Sequence, residues 1–338
     1  MGLTQAQRAL IERAKAAGGG ELGTGLSDEA CSYLLAIAVR DLEQLDLFPE
    51  LKDIEFPEFF EEADPRRLLI NDLNFYALIE RLVGIVADAD TFFSCLANLQ
   101  KSRLKYARIL EKQPLPTMDQ VGPRALLQYG QMNPKALVGF LLWRKWIYDI
   151  DNRAAQETGY LFEPIIAAAI GGTPISAKKS PIKRYGDSTK GRQVDCVRNS
   201  RAYEIKLRVT IAASGQGRWA EELAFPIDCR ASNYTPVLIV LDSTANPKLA
   251  ELARAFLKAD GEVYIGDEAW KHLEEAAGST MAKFLEKYVR SPLQDVLESS
   301  PTVLPNATFK MTDTIFSVLV GKDYVEFPRS VDQDVFKT

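Results

Sequence analysis

Apolar residues recur at helical spacing through most of the first 155 positions. TQAQRALIERAKAAGGG predicts a short amphipathic helix stopped by glycines. SDEACSYLLAIAVRDLEQL predicts a second, opened by a serine cap with acids in its first turn. NDLNFYALIERLVGIVADADTFFSCLANLQKSRLKYARILEK reads as one long helix or two, and NPKALVGFLLWRKWIYDIDNRAAQETGYLFE is helical again. Residues 41–64, broken by Pro49 and Pro57, predict a surface loop with short turns. Near residue 159 the pattern changes. PIIAAAIGG predicts a short apolar helix, SAKKSPIKRYGDSTKGR a flexible basic loop, and QVDCVR and AYEIKLRVT two strands. A crossover helix follows within ASGQGRWAEELAFPIDCRASNY, then a buried central strand (TPVLIVLDS), an amphipathic helix (NPKLAELARAFLKADG), a strand (EVYIG) and a further helix. The last forty residues suggest a terminal hairpin. The expected class is α/β (α+β): a mixed sheet flanked by helices, behind a large helical region.

The two strands around Asn199-Ser200 are informative. In the second, Tyr203, Ile205 and Leu207 alternate with Glu204, Lys206 and Arg208, so one face is apolar and the other charged. If Asn199-Ser200 is the turn, Val194 faces Ile205 and Cys196 faces Tyr203, which gives one coherent apolar side. Asp195 then faces Glu204. An odd-length loop would shift every pair by one. Like charges directly opposite on a sheet are destabilising, and their side chains start about 5 Å apart, close enough to share a cation. Lys206 lies two residues on, on the same face.

Charge distribution changes the picture more than its total. The 338 residues carry a net charge of −5, but residues 41–64 hold ten acids and one lysine. Residues 176–210 hold ten basic residues and three acids. A strongly basic segment in an acidic chain marks a nucleic-acid contact. Hydrophobic content is 46% and no apolar run reaches the ~20 residues of a membrane span. The N-terminal residues lack the apolar core of a secretory signal. The four separated cysteines, Cys31, Cys95, Cys196 and Cys229, read as buried, reduced thiols of a cytoplasmic protein and not as a zinc site. The single histidine, His272, excludes chemistries that need two, and its place in DEAWKHLEEAAG reads as an exposed helix. Lys101, Lys105 and Arg108 share a helix face; they are either snorkelling packing residues or DNA contacts.

Asp195, Glu204 and Lys206 beside a basic loop are what phosphodiester hydrolysis needs: acids for a metal and cations for the strand. Two carboxylates, a backbone carbonyl and waters suit Mg²⁺. Lys206 would orient or activate a metal-bound water, or neutralise charge building on a phosphate. The plain alternative is a hairpin with a charged wet face.

Asp195 followed by Glu204-Ile205-Lys206 on the next strand resembles the PD-(D/E)XK nuclease superfamily, to which most type II restriction endonucleases belong. The resemblance implies Asp195 and Glu204 as metal ligands, the Ile205 carbonyl as a third, and Lys206 as the catalytic lysine. An upstream helical glutamate would be Glu163. Pro164 directly after it allows the helix to start there, which leaves Glu157 as the alternative. Val194 stands where the superfamily has proline. The run YEIKLRVTIAASGQGRW followed by TPVLIVLDSTANPKLAEL is similar to ApaLI-type restriction endonucleases, which would imply a palindromic six-base-pair site containing a central TGCA. The division that follows is a mainly helical region over 1–155 for dimerisation or DNA contact, a nuclease core over 156–295, and a β extension over 296–338. The expected function is a Mg²⁺-dependent, site-specific double-strand DNA endonuclease. It would act as a homodimer in the cytoplasm of a prokaryotic cell and leave 5′-phosphates. Lys178, Lys179, Lys183, Arg184, Lys190 and Arg192 would contact backbone or base edges, with Gln216 and Arg218 as base readers. A repair or recombination nuclease, or a non-catalytic DNA-binding module of the same fold, remains open.

Overall fold

Side chains close the helix ends locally. Thr4 and Gln7 cap α1 (Gln5–Lys15) reciprocally, each side-chain oxygen accepting the other's backbone N–H. Ser27 caps α2 (Asp28–Asp41) and Asn74 caps α3 (Phe75–Ile85). The long apolar stretch is two helices, because Asp88 takes a left-handed conformation (φ 59°) before α4 (Ala89–Lys112). A short α5 (Met118–Val121) precedes α6 (Pro134–Ala169), which Asn133 caps. The computed structural model describes residues 2–18, 22–208 and 216–330.

Helix α6 corrects the expectation of a separate short helix from Pro164: its 36 residues run through that proline without a break. Pro164 cannot donate a hydrogen bond to the preceding turn. Ile165, Ile166, Ala167 and Ala169, immediately after it, are buried in the core, and that burial holds the last turns in place. Position 155 therefore falls in mid-helix, and residues on both sides of it share one core.

The central sheet is mixed, with strand order β1-β4-β5-β6-β7. Its members are β1 (Thr173–Ile175), β4 (Val194–Arg198), β5 (Arg201–Lys206), β6 (Thr235–Val240) and β7 (Glu262–Ile265). The basic segment is not a free loop. A 3-10 turn at Ala177–Lys179 leads into a small hairpin of β2 (Lys183–Arg184) and β3 (Asp187–Gly191). β5, β6 and β7 are parallel, and β1 and β4 antiparallel to their neighbours. Crossovers run through α7 (Gln216–Ala231) and α8 (Pro247–Lys258), and α9 (Asp267–Leu285) follows β7. Alternation along β6 sends Val237 and Ile239 into the core shared with α2, α4 and α9. Leu238 and Val240 enter a smaller core under α7 and α8. Gly172 lets α6 and β1 close on β4, since a Cβ there would meet the Cys196 sulfur at 2.1 Å.

A short helix, α10 (Ser291–Glu298), leads to β8 (Ala307–Met311), β9 (Ile315–Val320) and β10 (Asp323–Pro328). These form a three-stranded antiparallel sheet where a hairpin was expected. It is held against α6 by Trp143 and Trp146, whose rings lie 5.5 Å from Phe309 and 4.6 Å from Phe316. The acidic stretch after α2 buries Phe48, Leu51 and Phe59, and its charges pair with Arg81, Lys283 and Lys287. No helix of the described residues is long and apolar enough to cross a membrane.

Candidate active site

The β4–β5 turn has the geometry its sequence predicts. Asn199 and Ser200 both take positive φ (46° and 61°), as a two-residue hairpin turn requires. Cys196 pairs with Tyr203, Val197 with Ala202, and Arg198 with Arg201. That register, continued by one step, sets Asp195 against Glu204. The ladder stops at Cys196, however, and β4 is irregular there. Against β1, the register moves by one residue between Val197 and Val194. Val194 consequently packs under α7 with Leu238 and Val240, while Cys196 packs on the opposite side with Tyr203 and Ile205. The expectation that Val194 and Cys196 share an apolar face is thus overturned by a bulge, a device that re-aims side chains beside functional sites.

The bulge changes what Asp195 does. Its carboxylate accepts the Ile205 N–H at 2.9 Å, so a side chain replaces a rung of the ladder. Glu204 lies beside Lys206, whose Nζ donates to Glu204 Oε1 at 3.0 Å. A second carboxylate, Glu222 on α7, stands 3.6 Å from the same Nζ. Lys206 and both partners are only 16% to 19% exposed. Glu163, carried in by the unbroken α6, lines the same cleft, which has a volume of about 660 Å³. Glu157 faces elsewhere and pairs with Lys105 at 2.8 Å, so Glu163 is the acid that α6 presents to Asp195.

Burial, then the negative charges of Glu204 and Glu163, push the Asp195 carboxyl well above the usual carboxylate range; the Ile205 N–H and Lys206 oppose the shift. For Lys206, burial favours loss of the proton, but Glu204, Glu222 and Asp195 outweigh it and hold the ammonium above its ordinary value. Among the described residues, five carboxylates line the cleft (Glu163, Asp195, Glu204, Glu221 and Glu222) beside three cations, Arg184, Arg192 and Lys206. Such an excess of oxygen donors and negative charge fits a hard divalent cation. Among the described residues no group of three or more His, Cys, Asp or Glu side chains is arranged to hold a metal ion. Asp195 is turned to the Ile205 N–H and Glu204 to Lys206, so a metal would have to draw both away from these partners.

The expected DNA contacts divide into two groups. Lys178 and Lys179 are exposed on the 3-10 turn, and Lys183 is half-buried at the base of the hairpin. Lys190 is exposed and pairs with Asp187 at 3.0 Å. Arg192 is a correction: it is 7% exposed, and its guanidinium is taken up by Asp228 (Nε, 2.8 Å) and Glu221 (Nη1, 2.7 Å). Arg184 is likewise bound to Glu221, and the Tyr185 N–H donates to Asp228 at 2.7 Å. These contacts clamp the β2–β3 hairpin onto α7. The helix begins at Gln216; the side chains of Gln216 and Arg218 lie outside the described residues.

Other expected features proved structural. Lys101 donates to the carbonyls of Arg13 and Ala16, and Arg108 to that of Gly23, so this basic face packs the N-terminal segment. His272 is half-buried instead of exposed, stacked on Tyr264 at 4.1 Å and outside the cleft lining; burial lowers its affinity for a proton. The four cysteines are buried and free. Glu222 was missed in the sequence, because nothing local distinguishes it from Glu221; only the crossover brings it to Lys206.

The sequence model of the ApaLI-like restriction endonuclease family matches residues 65–290. The Type II restriction enzyme ApaLI of Acetobacter pasteurianus is 54% identical over 233 residues, which make up 67% of this chain and 62% of that relative. The chain thus spans less than two thirds of that relative's length. No solved structure matches the chain. With two thirds of its length matched, and the family model covering the whole described cleft from Asn152 to Phe225, the chain belongs to the ApaLI-like restriction endonuclease family.

Proposed function

We propose that the chain is a Mg²⁺-dependent, site-specific double-strand DNA endonuclease. The observation that carries this reading is the meeting of Asp195, Glu204, Lys206 and Glu163 in one cleft, in a chain of this family. Asp195, Glu204 and the Ile205 carbonyl would hold the ion, with Glu163 supporting Asp195 from α6. When bound, the ion would supply charge neutralisation and a more acidic water. Without an ion the Ile205 N–H holds the Asp195 carboxylate, which would turn from it to meet a metal. Lys206 enters as an ammonium, since its carboxylate partners keep the proton on Nζ. It therefore acts by placing positive charge, and a donor proton, against the phosphate as charge builds on its oxygens. Glu222, 3.6 Å from the Lys206 Nζ, would keep Lys206 anchored were Glu204 to turn toward an ion. Hydrolysis adds water across the P–O3′ bond and leaves a 5′-phosphate and a 3′-hydroxyl. Lys178, Lys179, Lys183 and Lys190 would meet the strand, while Arg192 holds the hairpin through Asp228 and Glu221. A homodimer on a palindromic site, one strand cut by each subunit, would match two-fold protein to two-fold DNA.

The test is incubation of phage DNA with the protein in Mg²⁺ and in EDTA. Discrete bands in Mg²⁺ alone are expected; a smear would mean a non-specific nuclease, and uncut DNA a binding module. Lys206→Ala should cut at least on the order of 10²-fold more slowly while still binding the site. Cutting near the wild-type rate would remove Lys206 from the reaction.

A further inference from the structure

The cleft has two kinds of wall. The sheet side carries the charged groups already described. The other is one face of α6, where Asn152, Gln156, Tyr160 and Glu163 line the same space at helical spacing. Across from them, Gln193 enters the cleft two residues before Asp195. Asn152, Gln156, Tyr160 and Gln193 are exposed, Tyr160 by 73%. None of the four has a side-chain hydrogen bond to another described residue. The two arginines among the described lining residues, Arg184 and Arg192, are instead bound to Glu221 and Asp228. Among the described residues lining the cleft, the uncommitted polar side chains are therefore three amides, Asn152, Gln156 and Gln193, and the Tyr160 hydroxyl.

We infer that the cleft face of α6, together with Gln193, is a specificity-determining surface that reads adenine edges in the DNA major groove close to the scissile phosphate. This rests on the endonuclease reading above. An amide side chain can donate to adenine N7 and accept from N6–H₂ at once, which no other base offers in that groove. The major groove, about 12 Å wide, admits an α-helix. From Asn152 to Glu163 the helix rises about 16 Å, or roughly five base steps of 3.4 Å. The same helix thus ends at the acid beside Asp195 and places its amides a few base pairs away. Tyr160, between them, is positioned to donate its hydroxyl to a phosphate oxygen.

The test uses the full chain and the duplex site that it cuts, found by sequencing the ends of digested phage DNA. Single-turnover cleavage is measured for wild type, Asn152→Ala, Gln156→Ala and Gln193→Ala. The substrates are the native site and the same site with each adenine replaced in turn by 7-deazaadenine, which lacks N7. At least one of these variants should lose about tenfold to a hundredfold on the native site. It should then be insensitive to the one 7-deaza position that slows wild type by a similar factor. If all three variants cut at the wild-type rate, or lose rate yet keep the full 7-deaza sensitivity of wild type, the inference is overturned and the endonuclease reading stands. If wild type cuts no DNA in Mg²⁺, the endonuclease reading fails and this inference with it.

Discussion

Two clusters of charge meet on α7, one at each of two adjacent residues. Glu221 belongs to a closed set in which it binds Arg184 and Arg192, and Asp228 binds Arg192 and the hairpin backbone. Glu222 belongs to an open set, where one lysine stands among Glu204, Glu222, Asp195 and Glu163. In the first set two arginines face two carboxylates, and the buried pair, Arg192 and Asp228, is hydrogen-bonded directly, which is what buried ions need in order to be tolerated. In the second, among the described residues, four carboxylates stand around one lysine, and burial beside like charges raises the affinity of Asp195 for a proton. In composition the two sets look alike.

Breaking the closed set should have the largest effect on stability. Arg192→Ala strands Asp228, which is 2% exposed, and should cost about 3–5 kcal/mol in denaturant melts. A loss below 1 kcal/mol would show that the clamp is not structural. The open set should respond in the opposite direction. Asp195→Asn keeps an acceptor for the Ile205 N–H and removes repulsion, so in EDTA near pH 8 it should match or exceed wild type by up to about 1 kcal/mol. The sign with pH follows from a folded-state pKa raised above its unfolded value of about 3.9. Between those two values the folded state holds the extra proton, so metal-free stability from this group falls as pH rises through the window and stays lost above it. The asparagine variant should lack that component. The smallest effect belongs to the exposed lysines. Lys178→Ala and Lys179→Ala should weaken all DNA sequences alike and each lower the slope of log affinity against log salt by about 1. An unchanged slope would place them off the strand.

Local chemistry made much of this legible. The Asn199-Ser200 turn, the alternation of Tyr203 to Lys206 and the apolar run at 235–240 specify the hairpin and the central strand, because turn residues and period-2 patterns act within a few residues. The family resemblance drew on those same positions. What escaped the sequence depends on contacts between distant segments. The β4 bulge is set by pairing with β1. The passage of α6 through Pro164 is decided by burial of Ile165 and Ile166, which overrides a local breaker. The loss of Arg192 from the expected DNA surface, and the arrival of Glu222 at Lys206, both follow from how α7 crosses the sheet. Basic residues in a row gave the right sign of charge but not which of them were already spoken for.

A divalent cation held by Asp195 and Glu204 should relieve the repulsion in this cluster. This expectation is tested most directly by melting wild type and Asp195→Asn with and without millimolar Mg²⁺ near pH 8, without DNA. The account predicts that Mg²⁺ raises the wild-type midpoint and that the asparagine variant, stable in EDTA, gains much less. Equal gains by both proteins, or an asparagine variant strongly destabilised in EDTA, would contradict it and make Asp195 a structural acceptor for the Ile205 N–H.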